Sequence, residues 1–299
     1  MIQKFLDYIA IERKYSPRTV QTYRDDLYEF CRHLGWEPDE YDVNAVTEGD
    51  IKEWIISLME QNHNAPRSVK QKLAALHSFY RFLLRLGIVE KDITRRIIAP
   101  KVDKPLPVFF KTGEMEQATA WDDAADDFLS IRNALIIEML YQTGMRQAEM
   151  LGLKDSDVDT KQQQIRVFGK RAKERIIPIG ERLCAQIETY RQARDGQYGT
   201  FFVTQKSNGQ VVPLTKGVLY GVVRERMGEV STLKKHSPHV LRHTFATTML
   251  NNGADIRTIQ QLLGHASLAA TQVYTHTTFE QIKQTYQNAH PRAQKDNKE

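Results

Sequence analysis

Residues 98–110 read Ile98-Ala-Pro-Lys-Val-Asp-Lys-Pro-Leu-Pro-Val-Phe-Phe110, and this stretch divides the chain. Pro100, Pro105 and Pro107 lack the N–H that a helix or an inner strand needs, so an extended linker is expected. Each flank carries its own apolar periodicity, which makes the stretch a domain boundary. The expected division is a first domain over residues 1–98, a linker over 99–110, a second domain over 111–290 and a frayed tail over 291–299. A length of 299 residues suits two domains of the usual roughly 100–200 residues.

Upstream, every segment reads as helix. Ser16-Pro17 is an N-cap with proline at the first helical position. Val20, Tyr23, Leu27, Phe30 and Leu34 then recur at helical spacing, and Gly35 stops the run. Thr47 opens a helix through Ile51, Trp54, Ile55 and Leu58. A longer helix follows Pro66, with Val69, Leu73, Leu76, Tyr80 and Leu83 on one face and Gly87 at its end. With a short helix at the start this makes a four-helix domain.

Downstream, helical patterns over 128–141, 183–190, 218–227, 240–250 and 256–263 surround one hairpin. Its strands are expected near 165–168 and 175–179, about a Gly-Lys-Arg-Ala-Lys turn. The expected fold is mainly α with a small antiparallel β-sheet, an α+β second domain following the helical first.

Composition excludes several classes. No apolar run approaches the roughly 20 residues of a membrane span, and the first residues lack a signal-peptide apolar block. Cys31 and Cys184 lie far apart without metal-ligand spacing, so neither a disulfide framework nor a zinc site is expected. A cytoplasmic protein is the expectation. Net charge is +5, but its distribution says more. No acid stands between Glu60 and Glu90, where Arg67, Lys70, Lys72, Arg81 and Arg85 fall. Between Glu229 and Glu280 the one acid is Asp255. A surface facing phosphates is depleted of carboxylates in this way, because each would repel the nucleic-acid backbone.

Cutting DNA without a metal needs fixed positive charge for the phosphoryl oxygens, an in-line nucleophile and a proton for the leaving oxygen. SPHVLRHTFA (237–246) gathers His239, Arg242 and His243 at a helix start, with His239 and Arg242 three apart on one face. The two histidines stand at i, i+4, but no Glu follows His239 and no third ligand stands at metal spacing. In YQTGMRQAEML (141–151), Gly144 ends one helix while Arg146 and Glu149 begin the next. The hairpin segment 166–175 holds Arg166, Lys170, Arg171, Lys173 and Arg175 against one acid, Glu174. A lysine at its tip suits a general acid, since lysine can surrender a proton. QLLGHASL (261–268) is followed by TQVYTH (271–276), with Gly264 capping a helix before His265 and Tyr274. A tyrosine phenol, with a pKa of about 10, needs neighbouring cations or a base to act as a nucleophile. Each segment alone is commonplace; their joint occurrence is not.

In this order and spacing the four segments resemble the tyrosine recombinase (phage integrase) family, specifically its Xer type. Residues 5–30, FLDYIAIERKYSPRTVQTYRDDLYEF, resemble its SAM-like core-binding domain, and residues 274–292 its ending. The resemblance implies that Arg146 and Arg242 clamp the scissile phosphate and that Lys170 protonates the 5′ leaving oxygen. His239 would exchange a proton with the nucleophile, and His265 would donate a hydrogen bond to the phosphate. Tyr274 would form a 3′-phosphotyrosine, with Glu149 and His243 as support. Lys70, Lys72, Arg171 and Lys173 are the candidate DNA contacts. Met145, Ala148 and Arg171 depart from the usual Leu, Ser and Gly, and Arg171 puts the hairpin tip in question.

The resemblance further implies strand exchange through a Holliday junction at paired duplex sites, in the nucleoid, with neither metal nor cofactor. Its partners would be three more protomers, in a homotetramer or a heterotetramer with a paralogue, and a DNA translocase. Residues 279–286, with Phe279, Ile282 and Tyr286 on one face, would dock into a neighbouring protomer. Resolution of chromosome or plasmid dimers is the expected role, with mobile-element integration or type IB-like topoisomerase activity as alternatives.

Overall fold

The structure is a computed structural model and describes residues 1–61, 63–102, 108–120, 127–169, 174–264 and 276–293, with the backbone alone for 276–278. The chain divides into two units, Met1–Pro105 and Leu106–Glu299. In the first, α1 (Ile2–Ile11) leads to Ser16, whose hydroxyl accepts the Thr19 N–H at 3.2 Å and starts α2 (Pro17–His33). Thr47 and Asp50 cap α3 (Glu48–Glu60) reciprocally: each side chain accepts the other's backbone N–H, at 3.3 and 2.7 Å. α4 (Pro66–Arg85) follows. Gly35 and Gly87, which end the two long helices, sit at φ +73° and +69°, a left-handed region that penalises other residues. Leu27, Phe30, Ile51, Trp54, Leu73, Phe79 and Tyr80 are buried at the centre.

The second unit contains α5 (Thr112–Ala118), α6 (Phe128–Thr143), α7 (Gln147–Leu151), β1 (Val158–Asp159), β2 (Gln164–Phe168) and β3 (Glu174–Pro178). It continues through α8 (Glu181–Arg194), β4 (Val203–Gln205), β5 (Val211–Pro213), α9 (Lys216–Val230), α10 (Pro238–Asn251), α11 (Ile256–Leu263) and α12 (His276–Ala289). α6 buries every residue from 135 to 143 because α8, α9 and α10 pack around it. An all-round buried helix is a domain's axis rather than its surface. Strands β1-β2-β3 form one antiparallel sheet, pairing Ile165 with Ile177 and Val167 with Arg175. β4 and β5 form a second hairpin that the sequence reading does not anticipate.

Phe110, the last residue of the expected linker, is buried in this second core, and its N–H donates to Thr244 Oγ1 at 3.0 Å. Among the described residues no helix is long and apolar enough to cross a membrane.

The last helix packs within the single chain. In this structure α12 turns its apolar face onto its own unit, where Ile282, Tyr286 and Ala289 are buried. Tyr286 Oη donates to Gln142 Oε1 at 3.1 Å, and Asn252 Nδ2 to the Ala289 carbonyl at 2.8 Å. The beginning of the expected frayed tail is also packed. His290 is fully buried, its Nε2–H directed at the Tyr141 carbonyl at 3.3 Å and its Nδ1 accepting the Arg292 N–H at 3.2 Å. A Cβ on Gly180 would stand 3.1 Å from the Arg292 carbonyl oxygen and 3.2 Å from Ala293 Cα, so glycine there admits the chain end.

Candidate active site

Gly144 closes α6 in the left-handed conformation, φ +58°, which turns the chain sharply into α7. A Cβ there would lie 2.5 Å from Phe245 Cδ1 and 2.9 Å from Leu263 Cδ2, so the turn is wedged between α10 and α11. Arg146 is the N-cap of α7, and Glu149 occupies its first turn. One Glu149 oxygen accepts the Arg146 backbone N–H at 2.7 Å, the other accepts Nη1 at 2.8 Å. Arg146 therefore leaves the turn in a fixed direction, with 39% of its side chain exposed.

A third group enters from the sheet. The guanidinium of Arg175, on β3, donates Nη1 and Nη2 to the two Glu149 oxygens at 2.9 and 2.8 Å. Each carboxylate oxygen thus accepts two hydrogen bonds, which fills its lone-pair sites. Burial alone would raise the Glu149 carboxyl, but the Arg175 fork and the Arg146 bonds bring it down to about 2. It stays ionised across the physiological range.

Arg242, in the second turn of α10, is buried and donates Nη1 to the Gly144 carbonyl and Nη2 to the Leu263 carbonyl, both at 2.6 Å. Burial, then repulsion from Arg146 and Arg175, lowers its pKa to about 10, so it remains charged at neutral pH. The three arginines converge on the end of α11. Leu262 O accepts Arg175 Nε at 2.6 Å, Leu263 O accepts Arg242, and Gly264 O accepts Arg146 Nη2 at 3.3 Å. Three consecutive carbonyls at the negative end of a helix dipole each meet one guanidinium. Gly264, at φ +64°, lies close against this cluster, since a Cβ there would come within 3.1 Å of Arg175 Nη1.

Three guanidinium groups against one carboxylate leave a surplus of positive charge at this corner. Such a surplus stabilises an anion, above all one whose negative charge grows along the reaction. His239 is exposed on the first turn of α10, and His243 is half-buried one turn later. The structure thus brings Arg146, Glu149 and Arg242 together with the end of α11. Lys170, Arg171, Lys173, His265 and Tyr274 lie outside the described residues. Among the described residues no three His, Cys, Asp or Glu side chains are grouped to hold a metal ion.

Two basic residues have partners that the sequence reading does not anticipate. Lys70 is exposed on α4, but Lys72 is half-buried, bonded to Glu29 and 3.6 Å from Asp26. Its charge is partnered by these carboxylates and ties α4 to α2. Arg175, counted in the sequence as one of five hairpin bases, is instead a buried strut. Period-two alternation could have revealed this, because Arg175 shares a face with Ile177, opposite Val167, and both neighbours are buried.

Residues 110–281 match the Phage integrase family, and residues 2–87 match the phage integrase N-terminal SAM-like domain. Tyrosine recombinase XerC of Listeria innocua is 39% identical, over 97% of this chain and 97% of its own. XerC of Pediococcus pentosaceus is 36% identical over 98% of each. Among solved structures, the Tn1549 transposon integrase with circular intermediate DNA aligns at a TM-score of 0.69 and 20% identity, covering 94% of this chain and 97% of that one. The XerH site-specific recombinase in a post-cleavage complex aligns at 0.66 and 20%, covering 96% and 84%. At that identity these two likenesses speak for the fold alone.

Proposed function

The chain belongs to the phage integrase family, and we propose that it is a site-specific DNA recombinase that breaks and rejoins strands through a tyrosyl phosphodiester. The observation that carries this reading is the convergence of Arg146 and Arg242 beside the carbonyls that end α11. Two of the five Arg242 N–H groups fix its plane on backbone oxygens, which leaves others for the non-bridging oxygens of a phosphodiester. The pentavalent state carries more negative charge than the ground state, so fixed cations lower the barrier rather than only binding substrate.

In this reading Tyr274 attacks the phosphorus, Lys170 protonates the departing 5′ oxygen, His239 takes and returns the nucleophile's proton, and His265 donates to the phosphate. The phosphotyrosine conserves the energy of the broken bond, so rejoining needs no nucleotide cofactor. Paired duplex sites are the substrate, and four protomers, with or without a paralogue among them, carry out exchange. The role proposed for it is dimer resolution assisted by a DNA translocase, rather than integration of a mobile element; its likeness to XerC recombinases over nearly the whole chain supports the Xer type.

The test is a nicked suicide substrate incubated with the protein in EDTA. Wild type should accumulate a covalent protein–DNA adduct, whereas Tyr274→Phe should shift the DNA in a gel but trap none. An adduct of undiminished yield in that variant, or cleavage abolished by EDTA alone, would remove the assignment.

A further inference from the structure

We infer that Arg175 is a positioning residue for strand cleavage, a strut that holds Arg146 and the end of α11 in one geometry without touching DNA. The inference rests on the recombinase reading above and deepens it. With only 5% of its side chain exposed, Arg175 is placed to brace protein rather than phosphate. Its three bonded nitrogens reach two kinds of anchor. Nε holds Leu262 O on α11, while Nη1 and Nη2 hold the two oxygens of Glu149 on α7. Glu149 in turn fixes both the backbone N–H and the guanidinium of Arg146.

One side chain therefore ties strand β3, the N-terminus of α7 and the C-terminus of α11 together. The absence of a Cβ at Gly264 supports the same geometry, since any side chain there would press on Arg175 Nη1 and Cδ. Lysine cannot replace this strut, because an ammonium is a point donor and cannot span a carboxylate and a carbonyl in one plane.

A strut of this kind leaves a titration signature. The charged groups facing Glu149 among the described residues are Arg146, Arg175 and Arg242, while α11 contributes only carbonyl oxygens. With Arg175 present the carboxylate stays ionised at every pH used for assay. Without it, burial dominates, the carboxyl pKa rises, and protonation releases Arg146 as pH falls. The defect of an Arg175 variant should therefore grow toward acid, whereas a purely structural defect would be independent of pH.

The experiment measures the rate of adduct formation on the suicide substrate from pH 8 to pH 5.5, for wild type, Arg175→Lys and Arg175→Met. Single-site DNA affinity by gel shift and the melting temperature are followed alongside. Both variants should bind DNA within about twofold of wild type and cleave roughly 100-fold more slowly, as expected of a displaced reacting geometry. The ratio of wild-type to variant rate should widen toward low pH, more for Met than for Lys. If Arg175→Met does not fold, Arg175→Lys, which keeps the buried charge, decides alone. Undiminished cleavage by Arg175→Lys, a rate ratio that does not change with pH, or equal losses in binding and cleavage would overturn the inference. No adduct with wild type would instead overturn the recombinase reading.

Discussion

The Glu149 carboxylate has no lone pair left to receive a proton, and Arg242 keeps its proton well above neutral pH. Neither can serve the leaving oxygen, and the group proposed for that role is a lysine of the segment between β2 and β3. Lys170→Ala is expected to slow cleavage by roughly 10²–10⁴-fold. Replacing the bridging 5′ oxygen with sulfur, a leaving group that needs no proton, should restore the rate. Rescue that fails there but succeeds with Lys173→Ala would transfer the role to Lys173. At this scale the sequence was informative about residue type and silent about partners. Arg146, Glu149 and Arg242 could be picked only from the joint occurrence of the four segments, since each segment alone is commonplace. That Lys72 is bound to Asp26 and Glu29 across a helix pair, and Arg175 to Glu149, depends on contacts 26 or more residues apart.

Helix limits were legible where the sequence shows a marked capping residue. Ser16, Thr47, Gly35, Gly87 and Gly264 each mark a boundary seen in the structure, because a cap is a short-range hydrogen-bond or backbone requirement. The seven-residue α5 and the three-residue strands β4 and β5 are too short to show a period. For α12 the amphipathic face was legible, but no periodicity reveals which surface covers it. Its seat on the catalytic unit makes a pH-dependent prediction. Burial, outweighing the Tyr141 carbonyl, holds His290 neutral with a pKa of about 3, against about 6.5 when unfolded. A neutral buried histidine contributes fully above pH 6.5, and its contribution is lost progressively as pH falls toward 3. The melting temperature of wild type should therefore drop more steeply between pH 7 and pH 4 than that of His290→Gln. Parallel curves would mean that His290 does not set the acid sensitivity of this seat.

For the molecule as a whole, charge placement matters more than the net +5. The single acid between Glu229 and Glu280, Asp255, is spent as the N-cap of α11, accepting the Arg257 and Thr258 N–H groups at 2.9 and 3.0 Å. In the first unit Lys70 is free of such duties and Lys72 is not. Each phosphate neutralised adds about 0.9 to the slope of log affinity against log salt. Lys70→Ala should lower that slope by about 0.9, measured by DNA titration at several salt concentrations, while Lys72→Ala should leave it unchanged and lower the melting temperature. The opposite pattern would mean that α4 presents its other side to DNA.

The packing of residues 282–293 into the second core also has a consequence for how the protein comes into being. Ribosomes add roughly 5–20 residues per second and deliver the N-terminal unit first. All helices of that unit lie within the first 105 residues, so it can fold while the rest is still being made. The second unit cannot close until Ile282, Tyr286, His290 and Ala293 arrive to fill their places against α6 and Gly180. A nascent chain thus has its first unit complete well before residues 282–293 emerge to complete the packing of the second.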